Sequence, residues 1–217
     1  MIEGLSVWIG PEAVVLRAPE PLQVLSSAVW GGGLGAARSI VNLHVALTDP
    51  CADPSAMLHA YARAQRVPEP CVGMLTGAWT ERATVGEENA AGIRTVAVAT
   101  VGLSNRTAAG RAPVSPWTHG TINTIVVVDA DPEPAALVNA VITVTEVKAL
   151  LLNEAGVRDP AGHAVTGTSS DAIVVAATGR GPRARFGGPV SELGWSIARA
   201  AGAALDAGIR GWLERNP

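Results

Sequence analysis

The residues able to do chemistry gather in a few short stretches. Thr166-Gly167-Thr168-Ser169-Ser170-Asp171 sets hydroxyls and backbone donors ahead of a carboxylate. A loop of this kind can hold an oxyanion or the polar edge of a substrate, and Asp171 can orient a water or a histidine. The same residues also suit an Asx- or Ser/Thr-turn that opens a strand, and spacing alone does not choose. In Pro134–Ala155 a 3.6-residue repeat puts Asn139, Thr143, Glu146 and Asn153 in one stripe among Ala, Val, Leu and Ile. If that stripe is buried, Glu146 must be paired, hydrogen-bonded or shifted in pKa, which is how a general acid or base is tuned. The competing reading is a satisfied polar seam or the solvent face. Lys148 falls on the opposite side of the helix and should not pair with Glu146.

Two strands add smaller clusters. His44 and Asn42 share a face of Ser39–Leu47, whose other face carries Val41, Leu43, Val45 and Leu47 as the expected core side. Thr121 and Asn123 share a face of Thr121–Asp129. A lone histidine is more often structural than catalytic, so His44 is a candidate only in company. His59, His119 and His163 show no ligand spacing, and Cys51 and Cys71 form no CxxC. No metal and no cofactor are therefore expected. Gly31–Gly35 lacks the lysine and capped helix start of a phosphate cradle and reads as a turn.

The elements that must position these groups follow from period and punctuation. Leu5–Ile9 and Ala13–Arg17 flank Gly10-Pro11 as a hairpin, which Pro19 and Pro21 should end. Leu22–Trp30, Ser39–Leu47, Val72–Val85, Ile93–Leu103 and Thr121–Asp129 read as strands. Asp53 caps a helix opened by Pro54 and ending before Pro68. Pro134–Ala155 is a helix capped by Asp129 or Asp131 and ended by Gly156. Ala164–Ala177 runs from loop into strand, and Ser191–Arg215 is a C-terminal helix weakened by Gly194, Gly202 and Gly208. Asn105–Pro116 reads as a mobile loop. Thr76–Val85 is similar to Thr166–Val175, which allows an internal helix–loop–strand duplication. The expected fold class is α+β: one domain spanning 1–217, a mixed or mostly antiparallel sheet, and helices packed on it.

Composition narrows the function classes. The 217 residues are 48% hydrophobic and 16% charged, with a net charge of −3. That suits a well-filled core. Arg180, Arg183 and Arg185 are the densest basic stretch, too sparse for a phosphate-tracking surface, so a nucleic-acid partner is not expected. No membrane partner is expected either, since polar residues interrupt every apolar run. The N-terminus lacks a signal-like pattern, which together with unpaired cysteines points to the cytoplasm.

The ordered motifs carry a resemblance. Leu25-Ser26-Ser27-Ala28-Val29, Gly31-Gly32-Gly33 and Ile40-Val41-Asn42 resemble the N-terminal signature of the adenosylcobinamide amidohydrolases (the CbiZ family). Gly120-Thr121-Ile122-Asn123, Asn139-Ala140 and Thr145-Glu146-Val147-Lys148-Ala149 resemble its central block. Ala164–Ala172 resembles its third. The resemblance implies hydrolysis of the aminopropanol amide of adenosylcobinamide to adenosylcobyric acid, in corrinoid salvage. It makes a corrinoid the small-molecule partner, with self-association left open. On this basis Glu146, Asp171 and His44 are the catalytic candidates. Ser26, Ser27, Asn42, Asn123, Asn139, Thr166, Thr168, Ser169 and Ser170 are the substrate-binding candidates. Water attack with Glu146 or Asp171 as base is favoured over a covalent route through Ser27 or Thr168. Trp30, Trp79 or Trp117 would offer a flat apolar wall. The alternatives are a corrinoid-binding protein without activity, or an amidase or acyltransferase on a small metabolite.

Overall fold

Strand alternation explains most of the architecture. In the computed structural model, which describes residues 2–47, 51–112, 114 and 120–216, twelve strands and three helices are described. They are β1 Ser6–Ile9, β2 Ala13–Ser26, β3 Gly33–His44, β4 Cys71–Thr76, β5 Thr84–Ala90, β6 Ile93–Val101, β7 Arg106–Thr107, β8 Ile122–Val128, β9 Asp131–Pro132, β10 Gly167–Thr168, β11 Ala172–Ala177 and β12 Arg183–Ala184. The helices are α1 Pro54–Ala64, α2 Pro134–Glu154 and α3 Glu192–Arg215. The main sheet runs β4-β3-β2-β11-β8-β6-β5, with β1 paired on β2. It is mixed: β11 lies parallel to β8, and β3 parallel to β4, while the other main pairings are antiparallel. The fold is α+β.

The two parities of each strand are buried in different places. Ala97 and Ala99, Val126 and Val128, and Val175 and Ala177 face α2 and α3 and form one core with Leu137, Val144, Ile197 and Leu205. The alternate residues Ile40, Met74, Val96, Val98, Ile125, Val127 and Val174 form a second core with residues of β2. This second core joins β3 and β4 to β6 and β8, which lie several strands apart in the sheet. The sheet therefore bends over on itself, as Asn42 on β3 shows by bonding Asn123 on β8. A third, smaller core of Val15, Val41, Leu58, Ala62 and Val67 seats α1 on the outer surface. Both faces of β3 are covered, so Val41 is core as expected while Ile40 and Asn42 of the other parity are buried as well; Leu47, expected on the core side, is exposed.

Several expectations need correction. Pro19 and Pro21 do not end the strand; β2 continues through Leu22, with a register shift between Arg17 and Leu22 that takes up the prolines. Gly31 and Gly33 do mark the turn into β3, at φ of 68° and 89°. Val72–Val85 is two strands separated by a turn of 3-10 helix at Thr80–Arg82. Asp53 caps α1, its carboxylate accepting from the Ala56 N–H at 2.9 Å. Neither aspartate caps α2, whose cap position is Glu133, with no side-chain capping bond to the helix. Asp129 instead accepts from Thr178 and Arg94. The two stretches of similar sequence take different structures: Thr84–Ala90 is antiparallel to β6, whereas Ala172–Ala177 is parallel to β8.

By length and composition α2 is apolar enough to cross a membrane. Here it packs on α3 and β11, burying Ala136, Leu137, Ala140, Thr143, Val144, Lys148 and Leu152. In the loop expected to be mobile, Arg106–Thr107 is paired with Gly167–Thr168; residues 113 and 115–119, with Trp117, lie outside the described residues.

Candidate active site

The inner parity of the bent sheet is apolar along its length and polar at one rim. Two residues beyond Ile40 stands Asn42, beyond Met74 stands Thr76, beyond Val98 stands Thr100, and before Ile125 stands Asn123. These four are at most 2% exposed, so their polar atoms must find one another. They do. Asn42 Nδ2 donates to Thr100 Oγ1 at 2.9 Å, and Asn123 Nδ2 donates to Asn42 Oδ1 and to the Leu75 carbonyl, each at 2.8 Å. Thr121 Oγ1 lies 3.0 Å from Asn123 Oδ1 and 2.8 Å from the Ser170 carbonyl. The network thus reaches from the sheet interior to the hydroxyl-rich loop.

That loop is organised by Asp171. Its carboxylate accepts from the Ile122 N–H at 3.0 Å and the Thr168 N–H at 3.1 Å, from the Thr168 hydroxyl, and from Lys148 of α2. Both members of the ion pair are close to buried, with side chains 8% and 11% exposed. Room for them exists because residue 167 is glycine: a Cβ there would stand 2.2 Å from Asp171 Oδ2 and 2.9 Å from Lys148 Nζ. Ser170 Oγ donates to the Gly120 carbonyl at 3.0 Å, which closes the loop onto the start of β8.

A cavity of about 390 Å³ opens at this rim, with Ser27, Thr76, Thr121, Ser170 and Asp171 as its polar wall and Met74, Val45 and Ala172 among its apolar one. Ser27 Oγ accepts the Ile173 N–H at 3.0 Å, which leaves its own proton to be donated. Next to Thr76, Gly77 is shared with a second cavity of about 290 Å³. His44 stands near this junction. Its Nδ1 lies 3.0 Å from the Ala78 carbonyl, an acceptor, so Nδ1 carries a proton and the neutral ring keeps its lone pair on Nε2. Trp79 stacks on the His44 ring at 4.9 Å.

The sequence candidates divide accordingly. Asp171, Ser27 and Ser170 line the first cavity. Asn42 and Asn123 lie behind its wall and bond to each other. Ser26 is buried and accepts from the Ala28 N–H, as in a turn. Thr168 is held by Asp171, while Thr166 and Ser169 are exposed and accept from Ala109 N–H and Asn105 of the opposing loop. Glu146 and Asn139 are corrections: both are exposed on α2. At 100° per residue, each projects nearly opposite to Lys148, and Asn139 is roughly 13 Å further along the axis. The polar stripe was the solvent face, apart from Thr143, which donates to the Gly187 carbonyl. Trp30 packs against His59 beneath α1 and supplies no wall.

The residues missed by sequence reasoning are Lys148, Thr76 and Thr100. The place of Lys148 opposite Glu146 is legible in the sequence, but not that this is the buried face of α2. Thr76 and Thr100 carried a legible signal, a polar residue two places beyond an apolar one of the same parity. Among the described residues, no group of three His, Cys, Asp or Glu side chains is arranged to hold a metal. Cys71 is a buried thiol pushed up to about 12 by burial and then by the Glu69 charge.

Residues 4–217 match the family described as adenosylcobinamide amidohydrolase. An adenosylcobinamide amidohydrolase of Methanosarcina mazei is 30% identical over 187 residues, which cover 82% of this chain and 86% of that protein. Among solved structures, the PH0078 protein of Pyrococcus horikoshii OT3 is similar with a TM-score of 0.47 at 13% identity, over 95% of this chain and 83% of that one. A β-aminopeptidase of Burkholderia sp. has a TM-score of 0.47 at 14% identity, over 93% and 79%.

Proposed function

Because the chain belongs to the adenosylcobinamide amidohydrolase family, we propose that its amide hydrolysis takes place in the cavity of about 390 Å³ at the polar rim, on the arm of a cobinamide-class corrinoid. The enzyme is an amidohydrolase of corrinoid salvage, and the products are adenosylcobyric acid and aminopropanol. The observation that carries the placement is Asp171, a nearly buried carboxylate on the cavity wall, backed by Lys148 and presented beside the free hydroxyl of Ser27.

The reaction needs a nucleophile, a proton for the leaving amine and donors for the tetrahedral oxyanion. Water attacks the amide carbon while Asp171 takes its proton, releasing one of its present donors. The oxyanion is met by the Ser27 hydroxyl, whose proton is free to be donated. Asp171 then passes the proton to the departing nitrogen as the C–N bond breaks, and the carboxylate is restored. Lys148 is a positioning residue that holds the carboxylate in line throughout. On this reading the reaction belongs in the cytoplasm.

The test is direct. Purified protein is incubated with adenosylcobinamide, and corrinoid products and free aminopropanol are followed by chromatography and mass spectrometry. Stoichiometric appearance of both products is expected, unaffected by chelators. Tight corrinoid binding without aminopropanol release would replace the enzyme with a binding protein.

A further inference from the structure

Resting on the corrinoid amidohydrolase reading, we propose that the second cavity is a nucleoside subsite, which receives the adenosyl group of the substrate while the amide arm occupies the first. The two cavities share Gly77, and Thr121 of the first adjoins Gly120 of the second. One ligand with two arms can therefore reach both across the rim.

Its size and walls select the ligand. At about 290 Å³ the cavity sits at the lower end of the range for small-molecule pockets, right for a nucleoside and too small for a macrocycle carrying amide arms. Two indoles line it, Trp79 and Trp212. Trp79 is 58% exposed, the largest kind of apolar side chain left in water. It is nonetheless held in orientation by the His44 ring behind it. A fixed indole with an open face is a stacking platform for a flat heterocycle. A corrin bears ligands above and below its plane and cannot use such a platform, whereas adenine can.

The polar groups fit the same ligand. Arg82 and Arg215 line the cavity, and among the described residues no Asp or Glu does. Among the described residues neither guanidinium has a salt-bridge or hydrogen-bond partner. Guanidinium groups only donate, and the ring nitrogens of a purine only accept. Arginine also lies flat on aromatic rings. Ser104 adds a hydroxyl that can donate or accept at the purine edge.

The experiment separates the subsite from the chemistry. Binding of 5′-deoxyadenosine alone is followed by calorimetry and indole fluorescence. Turnover is compared for adenosylated and cyano-liganded cobinamide. Saturable deoxyadenosine binding is expected, weakened about 5- to 150-fold in Trp79→Ala, the span of one base–aromatic stack, and substantially restored in Trp79→Phe. In Trp79→Ala, kcat/KM should fall by a similar factor on the adenosylated substrate and stay level on the cyano form. Equal losses on both substrates, or no deoxyadenosine binding by the parent, would overturn the subsite. Adenosine monophosphate binding tenfold tighter than deoxyadenosine would also overturn it, by making the arginines a phosphate site. If aminopropanol is never released, the amidohydrolase reading fails while the nucleoside-binding result still stands on its own.

Discussion

At the scale of single residues, the site turns on which charged group of α2 faces inward. Glu146 and Lys148 are two residues apart, hence about 200° apart on the helix. Burial of one exposes the other. The sequence shows a lone carboxylate and a lone ammonium among apolar residues, and nothing in the helix period says which side the sheet covers. The deciding partner, Asp171, lies 23 positions away in a different element. This is why Asp171 was legible, as the carboxylate closing a hydroxyl-rich loop, and its partner was not. Lys148→Met should remove the ammonium and leave the carboxylate beside a thioether. Asp171→Asn should remove the proton acceptor itself. We expect kcat to fall about 10²- to 10⁴-fold in Asp171→Asn, the usual worth of a general base, and the pH–rate profile of Lys148→Met to shift, as a merely structural lysine would not make it do. Glu146→Gln should stay within about threefold of the parent, since an exposed carboxylate contributes little. A Glu146→Gln enzyme crippled in turnover but fully folded would return that carboxylate to the reaction.

At the scale of elements, strand and helix existence followed directly from period and punctuation, while pairing did not. The cap of α1, the length of α2 and the turn at Gly31–Gly33 rest on local rules that need no tertiary partner. The bend in β2 was missed because prolines usually stop a strand, and only the register shift shows that they need not. Loop geometry is equally a matter of neighbours. Gly167 is one small residue in a polar run until the side chains of Lys148 and Asp171 meet over it. Gly167→Ala would drive a methyl to within 2.2 Å of Asp171 Oδ2, so the carboxylate must move. Turnover should fall with Asp171→Asn, and stability by about 1–3 kcal/mol, the range for overpacking a close contact; activity within twofold of the parent would show that the loop adapts freely. The far ends of β8 and β11 are tied by another carboxylate. Burial alone would raise Asp129, but hydrogen bonds from Thr178 and Arg94, with the charges of Arg94 and Arg180, outweigh it and hold it below the usual carboxylate range. A depressed carboxyl contributes stability above its unfolded pKa and loses it as pH falls through the folded value. Asp129→Asn should therefore cost about 1–2 kcal/mol at pH 7, since both guanidiniums are half-exposed and screened. The gap to the parent should close as pH drops below about 4. A gap that stays constant from pH 7 to pH 3 in urea titrations would show that the charge is not what matters.

At the scale of the whole molecule, a single sheet that doubles back must be held shut where its two halves meet. The apolar inner layer does this along most of its length, without specifying register at the open rim. Register there comes from the Asn42–Asn123 pair, which bonds β3 to β8 in a buried, low-dielectric setting where an unpaired amide is costly. Every polar side-chain atom of the two amides is engaged: Asn42 through Thr100, Asn123 through the Leu75 carbonyl and Thr121. Replacing one asparagine by leucine keeps approximate volume but leaves the other amide short of a partner, at about 1–3 kcal/mol. Replacing both removes the orphan as well as the bond. The double variant should then be less destabilised than the sum of the singles, with a coupling of about 0.5–3 kcal/mol in urea unfolding. Because Thr121 links this pair to the Ser170 carbonyl, the singles should also loosen the hydroxyl-rich loop that ends at Asp171. Amide exchange at residues 168–172 should rise in Asn123→Leu before the global transition is reached. Strict additivity, with loop exchange unchanged, would mean that the halves are held by the apolar layer alone and that the asparagines act locally on the cavity wall.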